Sequence, residues 1–363
     1  MRRRYLRGPA FDLGLFVAPG VVGAIAAIAL ARADPGPRDA GLALWIVAVL
    51  LVDVAHVYAS LYRTYLDPVA RRIHRKRLIA APLLCGWFGL LLHLESPLLF
   101  WGALAYVAIF HFIKQHLGFA LLYVRAAGEP AVDRRLVVAT IWAGTLAPVV
   151  WWHAHLPRNF SWFVDGDLVG GAPAWLGTLA LAVEAPILAL FALRRVHLAL
   201  RGRGSGPMIP LLTLVPVFTW HLGIVWFDDD RVFTLTNVLL HGVPYMALTW
   251  LAGGRAWIRA RLPGAGAFGL LLGFYGLLLA LAAGEEWLWD RLVWHDRPEL
   301  FGGGEALELH PLAAAAITAL LAVPQATHYL LDRWIWRVGP DNPALAGQLG
   351  LVDGVEVEPA SPG

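Results

Sequence analysis

Apolar stretches of about twenty residues recur along the whole chain, separated by short polar segments. Each stretch is long enough to cross the roughly 30 Å hydrocarbon core of a bilayer as an α-helix. Hydropathy therefore predicts an all-α fold, a polytopic transmembrane helical bundle over residues 1–338, with a flexible cytoplasmic tail over 339–363. The ten predicted spans are 11–31, 41–62, 78–94, 98–124, 135–153, 173–193, 208–227, 233–252, 266–288 and 311–333.

Composition strengthens this interpretation and narrows the possible chemistry. The chain is 58% hydrophobic and only 15% charged, whereas a soluble domain of this size needs more charge on its surface. Its one cysteine, Cys85, lies inside an apolar stretch, so an internal disulfide, a thiolate metal site and an iron–sulfur cluster are all excluded. The bilayer is therefore the expected partner.

The basic residues alternate with the predicted spans in a way that sets orientation. With both termini cytoplasmic, most arginines fall in inner segments and most loop acids in outer ones, as the positive-inside rule requires. This arrangement argues against nucleic-acid binding and predicts a multi-pass protein of the bacterial inner membrane. The inner segments hold Arg2, Arg3, Arg4, Arg7, Arg71, Arg72, Arg75, Lys76, Arg77, Arg134, Arg135, Arg194, Arg195, Arg201, Arg203, Arg255, Arg259 and Arg261.

Histidines inside the apolar stretches are the candidate chemistry. A polar group in the hydrocarbon core costs several kcal/mol unless it has a partner, so it usually marks a functional site. Several of them on different helices predict a metal centre with nitrogen and oxygen ligands. Six histidines lie in this position: His56, His111, His116, His221, His241 and His328.

Most of these histidines have a polar residue one helical turn away, on the same face of the helix. A metal-ligating imidazole needs its second nitrogen fixed by such a neighbour, and a carboxylate can either bind the metal or orient the histidine. We therefore predict His56, His111, His116, His241, His328, Asp53 and Asp332 as the metal site. The residues predicted to orient these ligands are Gln115, Asn237, Gln325 and, with the poorest fit in depth, His221.

His111 and His116 cannot both bind one ion without distortion. Five residues correspond to roughly 140° around an ideal helix, so the two side chains point apart. Either two metal ions lie close together, or one of these histidines binds the metal and the other supports it.

The segment His111-Phe-Ile-Lys-Gln-His116 resembles the first histidine box of the integral membrane di-iron desaturases and hydroxylases. The resemblance covers these few residues, and the His-x-x-His-His boxes of that family are absent. It implies non-haem iron, one or two ions, used with O₂, and it implies no particular substrate.

Three functions fit these observations. The first is a membrane oxidoreductase with a non-haem iron centre, a lipophilic substrate and an external electron donor. In it Tyr245 is a candidate proton donor, and Lys114 a candidate partner of Asp53 or of an anionic substrate head group. The second is haem binding by axial histidines, and the third is a transporter with a pathway lined by histidine and aspartate.

Overall fold

The computed structural model describes residues 4–36, 40–303 and 309–351, and within these ranges it contains helices and no strands. The helices are α1 (Pro9–Phe16), α2 (Ala18–Ala33), α3 (Leu42–Arg63), α4 (Pro68–Ile73), α5 (Arg75–Glu95), α6 (Pro97–Ala126), α7 (Ala131–His153), α8 (Ala174–Leu200), α9 (Met208–Trp226), α10 (Asp230–Arg261), α11 (Ala267–Trp294), α12 (Pro298–Phe301), α13 (Pro311–Leu321), α14 (Val323–Ile335) and α15 (Leu345–Gln348).

Eight of these helices are long and apolar enough to cross a membrane: α3, α5, α6, α7, α8, α9, α10 and α11. Two further pairs reach the required length only together. The pair α1 and α2 is bent by 43°, and the pair α13 and α14 by 41°. The all-helical class and the multi-pass membrane character are confirmed. The count of ten spans and the orientation of the termini stay predictions.

The chain divides into two compact units, and three helices, α3, α6 and α10, continue from one unit to the other. The first unit comprises Met1–Val49 and Trp101–Pro244. In it α7 packs along α8 and against α9. Its aromatic core includes Phe112, Trp152, Trp220 and Phe233, all buried, and this core fixes the helix that carries His111.

The second unit comprises Leu50–Phe100 and Tyr245–Gly363. Here α5 packs against α13 and α14, while α3 packs against α11 and α14. Cys85 is half-buried on α5 beside Thr327 of α14. These contacts hold α14, which carries His328, alongside α3, which carries His56.

Helix α10 breaks at Ala252 and Gly253, whose backbone angles are not helical. Gly253 has φ 147°, a conformation that favours glycine. A Cβ atom at this position would lie only 3.1 Å from the carbonyl oxygen of Tyr62. The break frees the carbonyl of Ala252, which accepts a 3.0 Å hydrogen bond from Nη1 of the buried Arg63. The Arg63 guanidinium therefore provides a hydrogen-bond donor for a buried carbonyl at the break in the helix.

The same guanidinium also forms hydrogen bonds with the end of α14 and with α15. Arg63 Nη2 donates to the carbonyl of Ile335 over 3.2 Å, and Nη1 donates to the Gln348 side chain over 3.3 Å. Leu345 and Leu349 are fully buried, so the described part of the predicted tail, residues 339–351, contains packed positions. Residues 352–363 of that tail lie outside the described ranges.

Candidate metal centre

In the first unit, His111 of α6 and His241 of α10 lie side by side. Their ring centroids are 5.1 Å apart and their planes nearly perpendicular. The Phe112 ring stacks on His241 with centroids 3.6 Å apart, which restricts the rotation of that imidazole. Gln115 Nε2 donates a 2.7 Å hydrogen bond to the carbonyl of His241. Gln115 therefore links α6 to α10 through the backbone of His241, and its role in orienting a ligand stays a prediction.

In the second unit, His56 of α3 and His328 of α14 form a matching pair, with ring centroids 5.1 Å apart. The Tyr245 ring packs edge-on against both imidazoles, with centroids 5.7 Å from His56 and 4.9 Å from His328. Tyr245 follows His241 by one turn within Asp230–Thr249, the unbroken part of α10. One helix thus carries both a histidine of the first pair and the tyrosine that contacts the second pair.

The four histidines form one cluster that could hold a metal ion. Each is buried, and each offers one ring nitrogen such that the four nitrogens all lie within 4.8 Å of one another. Metal–nitrogen bonds of about 2.0–2.1 Å place ligand nitrogens about 3–4 Å apart around one ion. Small side-chain adjustments therefore suffice for His56, His111, His241 and His328 to bind a single ion.

Two carboxylates stand beside the second pair. Asp53 Oδ1 lies 3.5 Å from His56 Nδ1, and Asp332 Oδ1 lies 3.8 Å from His328 Nδ1. Asp332 Oδ1 also accepts a 2.7 Å hydrogen bond from the Tyr245 hydroxyl. The one-turn spacing seen in the sequence thus places a carboxylate near each of these imidazoles, at separations longer than a hydrogen bond.

The donor set fits a divalent ion in charge as well as in shape. Four neutral imidazoles around such an ion leave two positive charges in a low-dielectric environment, which costs many kcal/mol without compensation. The carboxylates of Asp53 and Asp332 can supply the two compensating negative charges. Imidazole ligands without sulfur suit Fe, Cu, Ni or Zn, and they suit Mg or Ca poorly.

His116 lies outside this cluster, although it is buried on the same helix as His111. Its ring faces Trp220 edge-on at 6.5 Å, and its Nε2 has no hydrogen-bond partner among the described residues. The 140° separation anticipated from the sequence accounts for this placement, because α6 remains helical through both positions. The structure thus brings four of the five predicted histidines together.

His221 belongs to a separate pair in the first unit. Its Nδ1 donates a 2.8 Å hydrogen bond to the Val217 carbonyl, and its Nε2 lies 3.1 Å from Oε2 of the buried Glu184 on α8. A proton must therefore lie between Nε2 and the carboxyl group. Glu184, the only acid in α8, was absent from the site predicted from the sequence.

The remaining predicted residues differ in their surroundings. Lys114 is exposed on the outer face of α6. Asn237 Nδ2 donates to the Phe233 carbonyl on its own helix over 2.9 Å, and Gln325 Nε2 donates to the Tyr329 hydroxyl over 2.7 Å. The structure therefore supplies no contact between these three side chains and the clustered imidazoles.

Phe112 is the cluster neighbour that the sequence did not reveal. Its position directly after His111, within an apolar run, looks like any core residue, and no spacing rule pairs it with His241. Comparison with known proteins adds no candidate role for it: the chain matches no family model, no curated protein and no solved structure.

Proposed function

We propose that this protein is a membrane-embedded, metal-dependent oxidoreductase with non-haem iron at the cluster of His56, His111, His241 and His328. The observation that carries the proposal is the convergence of four buried imidazoles. Three of them lie on helices apolar enough to cross a membrane, and His328 lies on α14, which reaches that length only together with α13. Intramembrane polar groups are costly and usually functional. Iron and O₂ are proposed from the resemblance of His111–His116 to a di-iron histidine box, of which only His111 joins the cluster.

The proposed chemistry has two contributions. Bound iron would supply a site for O₂ activation and electron transfer. Among the protein's own groups, the Tyr245 hydroxyl hydrogen-bonds to Asp332 and its ring touches two of the imidazoles. Tyr245 is therefore the proposed proton donor near the metal, while Asp332 and Asp53 hold the imidazoles of His328 and His56 in orientation.

The location of the cluster supports a lipophilic substrate that reaches the site from the bilayer, in a protein of the bacterial inner membrane. The described residues form membrane helices and short connections, so the proposed reaction draws its electrons from a separate donor protein. Lys114 has no part in this proposal because its side chain is exposed on α6.

A haem centre is less well supported by the same geometry. Haem needs the plane between its axial ligands for the porphyrin ring. Four imidazole nitrogens within 4.8 Å of one another leave that plane occupied by side chains. Four nitrogens at this spacing also match one ion better than two, so we propose a mononuclear site.

The deciding experiment is elemental analysis of the purified protein, with its visible spectrum. We expect about one iron per chain in the wild type and a loss of most of it in His111→Ala, His241→Ala and His328→Ala, because each removes one of four ligands. His116→Ala and His221→Ala are matched controls, since both residues lie in membrane helices but outside the cluster.

Three outcomes would overturn the proposal. Full metal content in all three variants would show that the cluster does not bind the metal. A strong Soret band would identify haem. Solute flux into liposomes by protein without bound metal would favour the transporter.

A further inference from the structure

A second site lies in the second unit, where a cavity of about 480 Å³ opens between α11, α3 and α13–α14. Most of its wall is apolar, with Leu281, Leu288 and Leu320 among the lining residues. Two lining residues are polar, Tyr58 and Glu285. Its volume lies within the usual range for small-molecule sites, which are mostly apolar with a few placed polar groups.

The two carboxyl oxygens of Glu285 differ in their hydrogen bonding. Trp289 Nε1 donates a 3.1 Å hydrogen bond to Glu285 Oε1. Glu285 Oε2 is buried and has no hydrogen-bond partner within 3.5 Å among the described residues, although the Tyr58 hydroxyl lies close enough to interact with this carboxyl group. A buried acceptor without a partner is costly, so this oxygen is suited to a donor that a ligand brings into the cavity.

The charges around Glu285 select the kind of donor. Asp53 and Glu286 both interact electrostatically with Glu285, and Asp290 adds a further negative charge near Glu286. Arg297 is a basic neighbour of Glu286. Even with the charge of Asp53 assigned to the metal ion, the remaining carboxyl groups outnumber Arg297, so they favour a cationic head group over a fatty-acid carboxylate or a lipid phosphate.

We propose that this cavity binds a single-chain amphiphile with a protonated amine, its ammonium on Glu285 and its alkyl chain along the leucines. The cavity lies next to the metal cluster along the chain, because Tyr58 follows His56 by two residues and Pro324 precedes His328 by one turn. The idea that the bound amine is the substrate rests on the proposed function. The existence of the binding site does not depend on that function.

The test uses the intact purified protein in nanodiscs and measures equilibrium binding of radiolabelled dodecylamine. Dodecanol and dodecanoate of the same length are the comparison ligands. We expect dodecylamine to bind at least about tenfold more tightly than either, because only the amine brings a charged donor to Glu285.

Two variants test the location. Gly284 lines the cavity, and a Cβ atom there would meet nothing within 4 Å, so the side chain of Gly284→Leu starts in open space and occupies part of the cavity. Gly276 lies on the same helix outside the cavity wall, also with nothing within 4 Å, so Gly276→Leu is the matched control. We expect Gly284→Leu and Glu285→Gln to weaken dodecylamine binding at least about tenfold, and Gly276→Leu to leave it unchanged.

The proposal would be overturned if Gly284→Leu bound dodecylamine as tightly as the wild type. It would also be overturned if the wild type bound dodecanol as tightly as dodecylamine and Glu285→Gln changed neither affinity. Iron content measured on the same samples separates the two proposals. Full iron content without amine binding would reject only the amphiphile site, and amine binding by protein that never carries iron would reject only the metal function.

Discussion

Asp332 has two contacts that bear on the proposed metal site. It accepts a hydrogen bond from Tyr245 and stands 3.8 Å from the His328 imidazole, so it touches both the proposed proton donor and a proposed ligand. Its charge also offsets that of a bound ion. Loss of the charge should therefore weaken metal binding even though the four imidazoles remain.

We predict that Asp332→Asn weakens iron binding about 10–100-fold, as is typical when a residue that orients a ligand is changed. A chelator competition titration measures this affinity. Asp341→Asn is the control, because Asp341 is exposed and pairs with Arg77 away from the cluster. An iron affinity in Asp332→Asn equal to that of the wild type would contradict the assigned role.

Part of the site was visible from spacing alone. Asp53 with His56, and His328 with Asp332, lie one turn apart in the sequence and stand next to each other in the structure. Partners on different helices could not be found in this way. Glu184 stands alone in an apolar helix, and nothing in the sequence indicates that it faces His221.

At the scale of the element, a glycine on α6 sets how closely that helix packs against the segment after α7. A side chain at Gly102 would begin 2.8 Å from the backbone carbonyl of Asp167. Asp167 also accepts hydrogen bonds from the amides of Phe163 and Val164, so this segment cannot easily move away. Burial raises the pKa of the Asp167 carboxyl above its ordinary value.

We predict that Gly102→Ala lowers the free energy of unfolding by about 1–3 kcal/mol, because a methyl group must displace a backbone atom. Thermal unfolding in detergent measures the change. Gly118→Ala on the same helix meets nothing within 4 Å and should leave the melting temperature unchanged or slightly higher. Equal melting temperatures for Gly102→Ala and the wild type would refute this packing argument.

A second element-scale feature is the break in α10, which is stabilised by Arg63. We predict that Arg63→Ala destabilises the protein by about 3 kcal/mol, because charged donors to the carbonyls of Ala252 and Ile335 are lost. Limited proteolysis should then cut within 339–351 several-fold faster. Arg77→Ala is the control, since its exposed pair with Asp341 contributes little. Proteolysis no faster than in that control would contradict the anchoring role.

Hydropathy predicted where the membrane helices lie, because bilayer thickness imposes an apolar length that a sequence displays directly. It did not predict where helices bend or break. The bend before α14 coincides with Pro324 in the first turn of that helix. The break at Gly253, in contrast, depends on Arg63, a partner distant in sequence that satisfies the freed backbone carbonyl. Tertiary contacts of this kind leave no local pattern.

At the scale of the whole molecule, the distribution of arginines predicts the orientation of the chain in the membrane. We predict that alkaline phosphatase fused after Asp165 is active and that the same enzyme fused after Arg203 is inactive, because the first position is assigned to the outer side and the second to the cytoplasm. A fluorescent protein fused at these positions should give the opposite pattern. Active phosphatase at Arg203 would invert the proposed topology.

Cys85 lies beside Thr327, the residue before His328, and the chain contains no other thiol. The wild-type protein can therefore carry one nitroxide label at a known position near the metal cluster. A paramagnetic ion such as iron or copper would broaden the label's resonance, whereas zinc would leave it sharp. The lone thiol thus allows electron paramagnetic resonance to distinguish a paramagnetic ion from a diamagnetic one without removing the metal from the protein.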